Sequence, residues 1–134
     1  MKRRLLLAPI LGLLCSPLAD GRALPPSYAT PQATVASYWL RMIERRHAAA
    51  LDCFAEFDAH DVSNMLALPN LVELRCRDFE LGFQGRGVVD VAYRVEYRIA
   101  MGEPLTSFST GDRLQLTGRG WKIARPLLVA SQRP

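Results

Sequence analysis

From Gly87 to Ala100 the chain reads Gly-Val-Val-Asp-Val-Ala-Tyr-Arg-Val-Glu-Tyr-Arg-Ile-Ala. Val89, Val91, Tyr93, Val95, Tyr97 and Ile99 take every second position, and Asp90, Arg94, Glu96 and Arg98 fall between them. Successive side chains of a strand point to opposite faces, so this spacing predicts one long strand with a dry face and a wet one. A dry row of that length has to be covered by a second apolar layer.

Candidates for that layer lie upstream. Pro25-Pro26 keeps residues 24–30 extended as a lead-in. Thr30 then precedes Pro31, a favourable N-cap followed by the residue preferred at the first helical position. Val35, Tyr38, Trp39, Met42 and Ile43 recur at helical spacing, with Arg41, Glu44, Arg45 and Arg46 on the other side. They predict a first helix that ends near Arg46 or His47. A second, over residues 48–57, would present Leu51, Cys53, Phe54 and Phe57. A third, over residues 61–68, takes Asp61 as its cap and Val62, Met65 and Leu66 as its apolar stripe, and Pro69-Asn70 ends it.

After Asn70 the period changes. Val72, Leu74 and Cys76 alternate with Glu73, Arg75 and Arg77, and beyond Asp78 the apolar positions switch parity to Phe79, Leu81 and Phe83. One extra residue in a strand produces that switch, so a β-bulge is expected near Arg77–Asp78. Gln84-Gly85-Arg86-Gly87 turns into the long strand, and Gly102-Glu103-Pro104 turns out of it. A third strand over residues 105–117 places Leu114 and Leu116 inward. Gly118-Arg119-Gly120 then makes a hairpin into a last strand that begins Trp121-Lys122-Ile123. Helices followed by an antiparallel meander give an α+β domain.

The N-terminus has the form of an export signal over residues 1–23. Lys2-Arg3-Arg4 precedes a short apolar core, Leu5 to Leu14, and Gly21-Arg22-Ala23 offers a small-x-small cleavage site, with Ala19 as the alternative. Lipid attachment at Cys15 fits less well, because Leu14 stands where a small residue is wanted. The apolar core is too short to span a bilayer, and no second run of spanning length follows. The chain is therefore expected to be exported and soluble, periplasmic or secreted. Four of the 17 basic residues and one of the 13 acidic ones lie in this segment, so the formal charge of +4 falls to about +1 without it. No Lys/Arg run is left, and nucleic acid is not an expected partner. Export would leave Cys53 and Cys76 as an even pair. In an oxidising compartment they suggest a disulfide, and in the cytosol two buried thiols.

The order of elements, with Tyr38-Trp39 on the opening helix and a C-terminal Gly120-Trp121-Lys122-Ile123, resembles the nuclear transport factor 2-like superfamily over residues 30–128. The resemblance implies a cone fold on residues 31–130: three N-terminal helices packed in a strongly curved antiparallel four-stranded sheet. It implies a pocket between sheet and helices, often closed by dimerisation, so a homodimer is compatible with it. It does not imply one function, since this fold hosts enzymes, binding modules and assembly parts.

Enzymes of this fold place an acid or base and a hydrogen-bond donor in the cone. Tyr38 stands on the helix where the isomerases carry a donor tyrosine, and Tyr93 and Tyr97 point inward on the parity of the long strand. Asp78, beside the bulge, is the candidate acid, because Asp90 and Glu96 belong to the outer row. Tyr38, Trp39, Met42, Phe54, Tyr93 and Tyr97 are the expected pocket lining, and core tyrosines are the alternative reading. Asp58, His60 and Asp61 read as helix capping rather than metal ligation, and no cofactor is expected. Arg75, Arg77, Arg94, Arg98 and Arg113 share the outer face with Glu73, Asp90 and Glu96, as a solvated mixed-charge face or a partner surface. The expected role is non-catalytic binding of a small apolar ligand or an envelope protein. The alternatives are a small isomerase, cyclase or hydrolase, and an assembly component of an envelope or secretion complex.

Overall fold

Antiparallel pairing of the long strand organises the chain in the computed structural model, which describes residues 25–127. The expected export signal, Cys15 and both candidate cleavage sites lie outside the described residues. Helices α1 (Pro31–Ile43), α2 (His47–Leu51) and α3 (Ala59–Leu66) precede strands β1 (Glu73–Gly85), β2 (Val88–Arg98), β3 (Thr106–Thr117) and β4 (Gly120–Leu127). The sheet order is β1-β2-β3-β4, a meander in which consecutive strands pair. Among the described residues the architecture is α+β, with three helices and a four-stranded antiparallel sheet, an arrangement compatible with a cone.

The dry row of β2 forms the centre of the core. Val89, Val91 and Val95 are fully buried and Tyr93 nearly so, packed with Val35 of α1, Leu114 of β3 and Ile123 of β4. Burying each valine contributes about 1.5–3 kcal/mol. Ile99 extends the same row past the helices and is exposed. Leu116, expected to face inward, is also exposed, since it lies toward the hairpin end of β3, beyond the buried stretch that ends at Leu114.

Local chemistry sets most element ends. Thr30 caps α1 by accepting from the Ala33 amide at 3.1 Å. The cap of α3 is Asp58 rather than Asp61. Asp58 Oδ1 accepts from the Asp61 amide at 2.9 Å, and Asp61 Oδ2 accepts in return from the Asp58 amide at 3.0 Å, which satisfies two end donors at once. The second helix stops at Leu51, well short of Phe57. The chain there leaves the helix to pair with β4: the Ala55 amide donates to Ile123 O and the Ile123 amide to Cys53 O, both at 2.8 Å.

The bulge falls where the parity switch placed it. Pairing passes from Arg77 opposite Arg94 to Glu80 opposite Ala92, and Asp78 takes the left-handed conformation with φ 60°.

The lead-in is not extended throughout as expected, because Pro26 at the first helical position starts a short 3-10 turn, Pro26–Tyr28, that docks it onto the domain. The Tyr28 hydroxyl donates to Asp52 Oδ2 at 2.5 Å and accepts from Arg41 at 2.7 Å. The buried Lys122 ammonium lies 3.5 Å from the centroid of the Tyr28 ring.

Cys53 and Cys76 are free thiols, not a disulfide. Cys53 is tied by its backbone to β4, and Cys76 sits opposite Val95 on β1, at the other edge of the sheet.

Candidate functional site

Three side chains from three elements meet on the inner face of the sheet. The alternation of β2 turns Tyr93 inward, and the helical stripe of α1 turns Trp39 toward it. The Trp39 indole Nε1 donates to the Tyr93 hydroxyl at 2.9 Å. That hydroxyl donates in turn to Asp112 Oδ2 of β3 at 2.6 Å. Tyr93 and Asp112 are only 4% and 9% exposed. Asp112 Oδ1 has no hydrogen-bond partner among the described residues, and no lysine, arginine or histidine among them bonds to the carboxylate.

An isolated buried carboxylate disfavours its charged form. Burial pushes the Asp112 carboxyl up to about 6, although the bond from Tyr93 pulls the other way. The Tyr93 hydroxyl is driven far above its ordinary range, first by burial and then by the Asp112 charge. Tyr38 rises to about 12 by burial, with smaller contributions from the charges of Asp112, Cys53 and Asp61. Burial and the Asp112 charge likewise raise the Cys76 thiol to about 12.

Aromatic rings surround the chain of hydrogen bonds. Tyr38 packs edge-on to Trp39 at 5.3 Å and tilts against Phe54 at 5.4 Å. Phe79 stacks on Tyr93 at 5.6 Å. Trp39 and Tyr97 both meet the partly exposed Phe108 edge-on, at 6.4 and 5.9 Å. Met42 lies in a separate cluster with Ala50 and Met65, against which Tyr38 and Phe54 also pack.

An open hollow of about 420 Å³ lies beside this group, between the segment after α2, the start of α3 and β4. Two of its wall residues touch the inner site. Phe54 packs on Tyr38, and Pro126 is paired in register with Asp112. The other wall residues include Glu56, Phe57, Asp58, Asp61 and Arg125. A second open hollow, of about 630 Å³, lies over the bulge, with Asp78, Glu80, Arg94 and Ser109 on its walls.

The acid expected inside is not Asp78. Its side chain is 62% exposed and faces Arg77 and Arg94, at 3.7 and 3.6 Å. The bulge that changes the parity of the apolar positions gives Asp78 its left-handed backbone and leaves its carboxylate outside. Asp112 was missed, although it stands two residues before Leu114 and so on the same side of β3. The alternation that places Leu114 in the core places Asp112 there too.

Tyr38, Trp39, Tyr93 and Phe54 do come together, and Tyr97 joins them through Phe108. The five outer-face arginines each have a partner. Arg75 and Arg77 reach Glu96 at 3.0 and 3.4 Å, Arg94 reaches Asp78, and Arg98 reaches Glu73 at 3.0 Å. Arg113 grips Asp90 with two bonds, of 2.6 and 2.9 Å. Among the described residues no helix is long and apolar enough to cross a membrane.

No family model and no curated protein matches the chain. Among solved structures it is similar to one from Thiobacillus denitrificans described as a calcium/calmodulin-dependent protein kinase type II association domain. That likeness has a TM-score of 0.61 and 14% identity over 78% of this chain and 100% of that one. A SEC-C motif containing protein from Rhodopseudomonas palustris is similar with a TM-score of 0.54 and 14% identity, over 75% of this chain and 79% of that one. At such identity the likeness is one of fold alone, and it supports the expected nuclear transport factor 2-like α+β fold.

Proposed function

We propose that this chain is an exported cone-fold binding module that holds a small, mostly apolar molecule on the inner face of its sheet. The observation that carries this reading is the Asp112 carboxylate, which has one oxygen held by Tyr93 and the other unpartnered among the described residues, set among aromatic rings. Ligand pockets of this kind are mainly apolar, with a few convergent polar groups that fix orientation. The hollow bounded by Phe54 and Pro126 lies next to these residues. Export rests on the basic start, the apolar core and the Gly21-Arg22-Ala23 pattern of the first 23 residues.

A second reading, proton transfer on a bound carbonyl compound, is favoured by the same carboxyl, which burial pushes up to about 6. A base of that kind exchanges a proton readily near neutral pH. Against it, the Tyr93 proton is committed to Asp112 and its oxygen accepts from Trp39. Tyr93 is therefore not free to donate to an oxyanion, and binding is the better-supported function.

Native mass spectrometry of the protein purified from its expressing cell tests the proposal. A co-purifying small molecule is expected in wild type and is expected to be lost in Asp112→Asn at unchanged circular dichroism. A ligand that survives in Asp112→Asn, or a protein that binds nothing in a thermal-shift panel of apolar compounds, overturns it. Turnover of an enolisable ketone by wild type and not by Asp112→Asn would establish the second reading instead.

A further inference from the structure

We propose that the molecule this site selects is an organic monocation, a protonated amine carried on an apolar body. The inference rests on the binding site proposed above and names its ligand class. Asp112 is a buried carboxylate whose only bond among the described residues comes from a neutral donor, the Tyr93 hydroxyl. Buried charges in folded proteins are ordinarily paired, and here none of the described residues supplies a cation. The groups around it are those that accept one. Tyr38, Trp39 and Phe54 present π-systems, whose faces attract ammonium groups, and they leave few polar atoms to compete.

The hollow beside the site has the same sign. On the walls of the hollow, Glu56, Asp58 and Asp61 face a single cation, Arg125. Asp58 and Asp61 each spend one oxygen on their reciprocal cap. The fields of the rim and the inner site meet at Tyr38, where the charges of Asp112 and Asp61 both act. Phe54 and the exposed Phe57 add apolar surface for the body of the ligand. A neutral alcohol could donate to Asp112 Oδ1, but it would leave the carboxylate charge uncompensated. An anion would meet like charge at the rim and again inside.

Isothermal titration of the mature chain with three probes that share a phenylalkyl body separates these cases. The probes are 2-phenylethylamine, 2-phenylethanol and 3-phenylpropionate at pH 7.5, where Asp112 is ionised and the amine protonated. The amine is expected to bind wild type at least tenfold more tightly than the alcohol, the carboxylate not to bind, and the tenfold preference to vanish in Asp112→Asn. The alcohol binding as tightly as the amine overturns the cation and leaves the pocket standing. Binding of none of the three overturns the pocket as well. A preference that persists in Asp112→Asn assigns it to the acidic rim and overturns the role of Asp112. If that variant folds poorly, Asp112→Ser takes its place, and the wild-type ratio of amine to alcohol decides the ligand class by itself.

Discussion

Tyr93 holds Asp112 across 2.6 Å inside the core, joining β2 to β3 through a carboxyl that has no cationic partner among the described residues. The folded value of that carboxyl lies above its ordinary one. Its contribution to stability is therefore fully present below about pH 4 and is lost as the pH rises through about 6. A rise from 3.8 to about 6 corresponds to roughly 2–3 kcal/mol. Asp112→Asn keeps an oxygen for Tyr93 and removes the charge. It is expected to be more stable than wild type at pH 7 by up to about that amount, with the gain shrinking toward pH 4. Urea midpoints of both proteins across pH 4–8 check this, and equal gains at both ends would contradict it.

Tyr93→Phe acts in the opposite sense. The Tyr93 bond is what holds the Asp112 carboxyl down, so removing the hydroxyl should move its titration above about 6. It also leaves Asp112 Oδ2 and the Trp39 indole N–H without their partner, at a cost of about 1–3 kcal/mol. Carboxyl NMR of Asp112 reads the titration directly, and an unchanged midpoint would show that the bond does not form in solution.

The parts of the fold that could be read from the sequence are those set by near neighbours. Thr30-Pro31 carries its own cap, and the parity change after Asp78 records one extra residue, so helix start and bulge fell where expected. The end of α2 did not. Phe54 continues a helical apolar stripe, but a backbone pairing with Ile123, some seventy residues away, takes the chain out of the helix. The cysteine pairing failed for the same reason, because sheet order and not spacing separates Cys53 from Cys76. Asp112 lies between these cases. Its parity was visible, but a single acid in an apolar row means something only once Tyr93 and Trp39 arrive from other elements.

Both thiols should be unreactive in the folded protein. Burial raises Cys53 and Cys76, and the thiolate is the reactive form. Ellman's reagent is expected to label neither in the native state and both in guanidinium, and the intact non-reduced mass should be that of the free thiols. Protection that persists in guanidinium and yields only to a reductant would establish a bridge instead.

The lead-in turn depends on a glycine at the other end of the domain. Gly120 has φ 109°, and a Cβ there would lie 2.5 Å from Tyr28 Cβ and 2.6 Å from Tyr28 O. The strained backbone costs about 1–3 kcal/mol for any other residue, and the clash involves backbone, which cannot swing aside. Gly120→Ala should therefore push Tyr28 out of its place against Lys122 and break its bonds to Asp52 and Arg41. For a domain of this size about 2 kcal/mol lowers Tm by roughly 10 °C. Tyr28→Phe keeps the ring and loses only the hydroxyl, so it should fall less, by about half. Thermal unfolding of the two variants checks the order. An equal loss in both would place the effect in the hydroxyl network, and a harmless Gly120→Ala would mean that the turn is not seated on β4.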